Sequence, residues 1–314
     1  MYLRSYVDVA TTAALSWSQF FLGYGGHHGH PGHEIDYYAR NLKTISTIYN
    51  LTVYPNNLPI ILNGSSAVPP ELFSANATGR VSPLGNFTTF EDSIEYFFAL
   101  ALVPAPPAYS VFSSAEVVEF SSGCPEVAAS VAYLETRVWT GNASEPGPYL
   151  STLKQVAFWR FDKNGAVQDY DAWIPNLNDW NYLAEGKLDI TNPAIQAAEI
   201  QQLCPAIQQR CVGKNQQYPD IPTCINTLSA KPFGNFDEVW GNNVVCRSVH
   251  VILALVNPDT HCPHVGPTGG GKCVDEGYNE GYFDDVELFG RPRGKVFVCD
   301  EKGGRGEKGG WGGY

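Results

Sequence analysis

The chain has 314 residues, 44% hydrophobic and only 17% charged, and its 20 Lys and Arg stand against 32 Asp and Glu for a net charge of −12. That length allows two domains and a sizeable core. The acidic balance argues against nucleic acid and anionic membrane as partners, since both are bound by a basic face, and no apolar run reaches the roughly 18 residues that a membrane span needs.

Residues 3–21 read as a helix, because Leu3, Val7, Ala10, Ala14, Trp17 and Phe21 recur at steps of three and four before a Gly-rich stop. A second helix is expected over 34–50, with Ile35, Tyr38, Leu42, Ile45 and Tyr49 on its apolar side. From 51 to 85 the pattern dissolves into Pro, Asn, Gly and Ser, with one short strand candidate at 58–62. Thr89 then caps a third helix over 90–103, which Pro104, Pro106 and Pro107 stop. Strands are expected at 109–120, 128–139, 153–161 and 166–174. The last two form the most legible hairpin, joined by Asp162-Lys163-Asn164-Gly165, where Gly165 can take a positive φ. Alternation sends Val156, Phe158 and Arg160 to one face and Ala157, Trp159 and Phe161 to the other. Both faces carry large side chains, so both are expected to be covered, one by helices and the other by a partner or a pocket.

This order of elements, three helices followed by a meander that ends in FWRFDKNGAVQDYDAWI, resembles the nuclear transport factor 2-like, or polyketide-cyclase-like, superfamily over residues 2–180. The resemblance implies a cone-like α+β domain over 1–180, three helices packed on a curved antiparallel sheet that encloses a pocket. The superfamily contains dehydratases, isomerases and cyclases as well as non-catalytic modules, so the resemblance does not choose a function.

Beyond Trp180 the composition shifts. Thr191 or Asn192 caps a further helix with Pro193 in its first position, and Pro205 is expected to kink or divide it. The run at 249–256 suits helix or strand equally. A disulfide-rich, loop-rich domain with one or two helices is expected over 181–302, followed by a Gly-rich tail over 303–314. The eight cysteines, Cys124, Cys204, Cys211, Cys224, Cys246, Cys262, Cys273 and Cys299, are even in number and crowd into this second half. They read as disulfides formed in an oxidising compartment. Their spacing names no pairs, but if all eight pair internally Cys124 must bridge to the Cys-rich half. Five sequons, at Asn50, Asn63, Asn76, Asn86 and Asn142, all fall in the first half and point to N-linked glycans on one exposed side. The chain therefore reads as secreted and extracellular, its leader removed ahead of this numbering.

All seven histidines fall in two groups. His27, His28, His30 and His33 in GHHGHPGHE have spacings that let several imidazoles converge on Zn or Cu, and this loop carries the metal reading. His250, His261 and His264 surround Cys262, which is expected in a disulfide, so a metal there ranks lower. No other cofactor is expected. Residues 266–273 have the spacing of a phosphate-binding loop but place Cys273 where Ser or Thr is needed, and read as a Gly-rich turn between bridged cysteines. Asp169 and Asp171 share one face of the last strand, and in a cone that face could line the pocket and supply acid–base chemistry.

Two functions compete. The first is a secreted structural or assembly glycoprotein that self-associates in a filament or sheath, its tail aromatics Trp311 and Tyr314 docking on a neighbouring copy. The alternative is a small-molecule-binding protein, or a lyase or isomerase, that uses the cone pocket. A pocket lined by Asp169 or Asp171 beside a Tyr or His favours the alternative, and a cone filled by its own Phe and Trp side chains removes the cone pocket as its site.

Overall fold

A computed structural model describes residues 36–106 and 108–300. The helix expected over 3–21, the histidines His27, His28, His30 and His33, and the tail aromatics Trp311 and Tyr314 lie outside the described residues.

Helix α1 (Tyr37–Thr52) starts where Asp36 accepts a hydrogen bond from the Ala39 amide at 3.0 Å, and it buries Ile45, Ile48 and Tyr49. The strand expected at 58–62 is instead helix α2 (Leu58–Asn63). Pro59 sits in its first turn, where a proline is pre-set for helix, and the short apolar run carries no period to separate the two. Two strands follow that the sequence hid, β1 (Phe73–Ser82) and β2 (Gly85–Phe87). Their residues are mostly small and polar, and only Phe73, Ala77, Gly79, Arg80 and Val81 of β1 are buried. Thr89 caps α3 (Phe90–Ile94) by accepting from the Asp92 amide, and the chain continues as a π-helical turn over Glu95–Ala99. Strands β3 (Ser110–Cys124), β4 (Val127–Val138), β5 (Tyr149–Phe161) and β6 (Val167–Trp173) then form the expected meander.

The sheet is open and six-stranded, in the order β2-β1-β6-β5-β4-β3. It is mixed, which corrects the antiparallel expectation: β1 lies parallel to β6, while the other neighbours are antiparallel. Register shifts in β3, β4 and β5 mark bulges, the devices that curve a sheet. Its inner face presents Ala157, Trp159, Phe161, Tyr170 and Ala172 to Ile45, Tyr49, Phe97 and Phe98. Trp159 is fully buried and donates from Nε1 to Ser130 Oγ at 2.8 Å. Gly79 on β1 lies against the Tyr170 ring, where an added Cβ would fall 2.1 Å from a ring carbon.

The second half is helical rather than loop-rich, a further correction. It holds α4 (Leu177–Ala184), α5 (Pro193–Arg210), α6 (Ile221–Ser229), α7 (Val244–Leu253), α8 (Pro258–Val265), α9 (Tyr278–Gly281) and α10 (Asp285–Phe289). Asn192, Asp220, Asn243 and Asn257 each accept a backbone N–H at the start of α5, α6, α7 and α8. These helices are mostly short, so the period was weak while the caps were present. Helix α5 runs through Pro205 as one helix. Three disulfides staple this layer: Cys204–Cys224 joins α5 to α6, Cys211–Cys262 ties the end of α5 to α8, and Cys246–Cys273 anchors α7; a fourth, Cys124–Cys299, ties the segment after α10 to the end of β3. Val245 and Val249 of α7 join the same core as Phe97 and Trp159, so α7 closes one end of the space between helices and sheet.

Part of the outer face, at β1, β5 and β6, is covered by the chain's own segment 282–300, while Phe158 and Trp173 stay partly exposed there. Arg80 of β1 reaches Asp171 at 3.3 Å, Asp285 at 2.6 Å and Asp284 at 3.5 Å, donates to the Tyr282 carbonyl, and lies over the Phe289 ring. Arg160 of β5 donates to the Val296 carbonyl at 2.9 Å and to Asp300 at 2.7 Å.

Candidate active site

Alternation decides where the strand carboxylates go. Tyr170 and Ala172 take the inner face of β6, so Asp169 and Asp171 point outward, beneath the segment that carries α10. Asp169 accepts from Thr78 Oγ1 at 3.0 Å, and Asp171 shares Arg80 with Asp284 and Asp285. Neither is among the residues that border the two cavities described below.

Asp171 instead bears on stability. Burial, opposed by Arg80, pushes its carboxyl up to about 6. A carboxyl that binds its proton more tightly in the folded chain favours folding at low pH, and that contribution fades as pH rises from about 4 through about 6. Wild type is therefore expected to lose about 2–3 kcal/mol relative to Asp171→Asn over that window. Urea unfolding of both proteins at several pH values measures it, and a pH-independent difference would contradict it.

The space between helices and sheet is largely filled by its own aromatic groups, which removes the cone interior as the expected ligand site. Trp159, Phe97 and Tyr170 pack together there, and about 120 Å³ remains, bordered by Tyr49, Gln155 and Trp180. The larger cavity, about 500 Å³, opens where α7, α8 and the β1–β2 hairpin meet. It adjoins the smaller one, since Leu84, Leu100 and Val249 border both. Phe87, Leu100, Trp240 and Leu253 give it an apolar wall, and His250, His261, His264 and Glu95 stand on another side.

Those four side chains form a tight polar cluster. His250 lies on α7, and His261 and His264 lie one turn apart on α8, flanking Cys262. The Nδ1 atom of His250 is 3.2 Å from Nδ1 of His261 and 3.3 Å from Nδ1 of His264. On its other side His261 meets Glu95, with Nε2 2.6 Å from Oε2, both residues buried. Glu95 opens the π-helical turn, whose Leu100 amide bonds back to the Glu95 carbonyl at 3.1 Å; such turns recur at functional sites. Burial, with His264 and His261 beside it, holds His250 well below the usual imidazole range. Burial and the neighbouring His261 and Lys272 lower His264 to about 4. Both rings are thus neutral at neutral pH.

The Gly-rich stretch at 266–273 forms the expected turn next to a bridged cysteine. Arg247, fully buried, donates to the Gly266 and Pro267 carbonyls, and Lys272 donates to the Asn86 carbonyl. Of the sequon asparagines, Asn50, Asn63, Asn76 and Asn142 are exposed, whereas Asn86 is half-buried and its Nδ2 donates to Asp284 at 2.9 Å.

Sequence reasoning named the second histidine group but missed Glu95. Its signal was a carboxylate embedded in the apolar run from Ile94 to Phe98. The meeting of His250 with His261 and His264 was hidden because 249–256 had no assigned state. Taken as a helix broken at Asn257-Pro258, it folds the two segments back on each other.

The sequence matches the BfoA family C-terminal domain over residues 174–276. Aurasperone B biosynthesis cluster protein A of Aspergillus niger is 31% identical over 286 residues, 85% of this chain and 86% of that protein.

The chain belongs to the BfoA family.

Bifonsecin B biosynthesis cluster protein A of Aspergillus brasiliensis is 32% identical over 252 residues, 74% of this chain and 79% of that protein. All three clustered histidines of this BfoA family member lie inside the matched C-terminal domain, and Glu95 lies outside it. Among solved structures, a steroid delta-isomerase from Pseudomonas aeruginosa is similar over 47% of this chain and 88% of its own, at 16% identity and a TM-score of 0.29. A phenazine biosynthesis-related protein from the same species covers 52% of this chain and 94% of its own, at 14% identity and a TM-score of 0.29. In the N-terminal half of this chain, helices pack on the inner face of an open, mixed six-stranded sheet.

The relatives overturn the expectation of a structural, self-assembling filament glycoprotein. Proteins alike over most of their length are named for biosynthesis clusters, not for a fibre or sheath. Sparse charge and abundant Tyr, Trp and Gly are equally what an aromatic-filled sheet and a disulfide-stapled helical layer require.

Proposed function

We propose that this protein is an enzyme of a secondary-metabolite pathway that binds a small, largely apolar molecule in its cavity and moves protons on it, as a lyase or isomerase does. One observation carries this reading: a single cavity of about 500 Å³ combines an apolar wall with three imidazoles, one of them backed by a buried carboxylate. The size suits a small organic ligand, and a few converging polar groups in an apolar pocket are what fix such a ligand's orientation. In this reading His261 takes or gives the proton. Glu95 orients the ring and stabilises it when charged, as a buried carboxylate behind a histidine does. The neutral rings of His250 and His264 hold a carbonyl or hydroxyl of the ligand. The relatives' names support the pathway context. Four disulfides support folding in an oxidising compartment, and with the four exposed sequon asparagines they support a secreted, N-glycosylated chain.

The test uses the full chain, disulfides intact, with intermediates of the aurasperone B and bifonsecin B pathways as the substrate panel. A ligand present at about 100 times its dissociation constant is expected to stabilise wild type by about 2.7 kcal/mol, read as a rise in melting temperature. Leu100→Trp, which pushes bulk into the cavity, is expected to lose that shift while keeping its unliganded melting temperature. His261→Ala is expected to keep binding and lose turnover by about 10²–10⁴-fold, followed by mass spectrometry of the product. Equal binding by wild type and Leu100→Trp, or no binding and no turnover across the panel, would refute the proposal.

A further inference from the structure

We propose that His250, His261 and His264 are the protein ligands of a divalent transition-metal ion, zinc foremost, with Glu95 as the residue that positions His261 for it. Geometry is the first ground. Ligands about 2.0–2.1 Å from a tetrahedral zinc stand about 3.3 Å from one another. The two Nδ1 separations at His250 are 3.2 Å and 3.3 Å, and the ligand atoms of all three rings lie within 4.8 Å of one another.

Proton placement is the second ground. With Glu95 as carboxylate, which only accepts, His261 donates to it from Nε2, and in that tautomer its lone pair is on Nδ1, facing the other two rings. His250 presents a single Nδ1, which holds either one proton or one lone pair, yet it faces two partners. No assignment of protons gives each of the three nitrogens a full hydrogen bond. A cation at their meeting point satisfies all three lone pairs at once. A carboxylate on the far nitrogen of a ligating histidine is the usual outer support of such a site.

The donor set chooses the ion and its use. Three imidazoles suit zinc, copper, iron or nickel, not calcium or magnesium. The sulfurs of Cys246 and Cys273 come within 4.8 Å of a His250 ring nitrogen but are bonded to each other, so they offer no thiolate. Three protein ligands on a cavity wall leave coordination free for water or a substrate oxygen, the pattern of catalytic rather than structural zinc. Ion binding stands by itself, while its part in turnover rests on the function proposed above: with Nδ1 on the ion and Nε2 on Glu95, His261 would have no free nitrogen to move a proton, and that role would pass to the chemistry the ion supplies.

His27, His28, His30 and His33 would compete for metal, so the experiment starts from a full-length variant with those four changed to Ala, the loop variant. After chelation and titration with zinc, that variant is expected to bind about one ion per chain. With cobalt in place of zinc it is expected to show the visible absorption of a low-coordinate site. Glu95→Gln on that background is expected to weaken zinc about 10–100-fold without abolishing it. His261→Ala and His250→Ala are expected to weaken it further, with far-ultraviolet circular dichroism as the folding check. A structural role for Glu95 alone would lower stability and leave zinc affinity and the cobalt spectrum unchanged. The proposal falls if the loop variant binds no zinc, or if Glu95→Gln, His250→Ala and His261→Ala, each folded, bind it as well as their parent. Panel binding is measured on the metal-free and zinc-loaded forms alike. Zinc bound with no small molecule bound would refute the cavity's proposed function and keep the metal site, and the converse would do the opposite.

Discussion

Replacing Cys211 and Cys262 together by Ala is expected to cost about 4 kcal/mol at 25 °C, because the bridge spans a sequence separation of 51 and its loss frees that loop in the unfolded chain. The consequence reaches the site, since Cys262 lies between His261 and His264 on α8 and its partner ends α5. Without the bridge, α8 keeps the bond from Tyr218 to the Val265 carbonyl at 3.0 Å, the bonds from Lys214 and Asn215 to Asp259, the His261–Glu95 contact and the burial of Val265. The double variant is therefore expected to lose both stability and the close approach of the imidazoles. Urea unfolding reads the first, and the cobalt spectrum reads the second. A midpoint equal to wild type would show that packing alone fixes α8.

Trp159→Ala is expected to cost about 3–5 kcal/mol, the loss seen when a large aromatic leaves a packed core. Trp159 is fully buried among Tyr49, Phe97 and Tyr170, and its removal also leaves the Ser130 hydroxyl without its donor. Its neighbour Phe158, on the opposite face and 43% exposed, makes the control: Phe158→Ala is expected to cost about 1 kcal/mol or less. Comparable losses at the two positions would contradict the assigned faces of β5.

The β5–β6 hairpin was legible because every signal agreed there. Asp162 accepts from the Asn164 and Ala166 amides, Gly165 takes a positive φ, and large side chains alternate on either side. Strand β1 was illegible because Ser74, Ala75, Asn76, Ala77, Thr78 and Gly79 have neither size nor alternation, and its parallel pairing with β6 joins segments far apart in the chain. The capping residues of α5 to α8 were readable one at a time, but their short apolar runs did not add up to a helical layer. For the site, the three histidines were visible as a group around Cys262, while Glu95 could be linked to them only across a separation of 166 residues.

By itself the sequence determined the α+β class, the meander and its terminal hairpin, the division of the β5 side chains between two faces, and a stapled second half in which Cys124 reaches across to the other cysteines. Those features depend on local propensity, on the two-residue period of a strand and on the parity of the cysteine count. Tertiary structure alone decided that Asp169 and Asp171 face outward, that the aromatic groups fill the layer behind the sheet, and that the open cavity lies at its rim with three imidazoles and Glu95 on its wall. The reason is geometric. Which face of β6 is inner depends on what packs against it, and the meeting of a π-turn, α7 and α8 depends on disulfides and core contacts between segments that no local pattern connects.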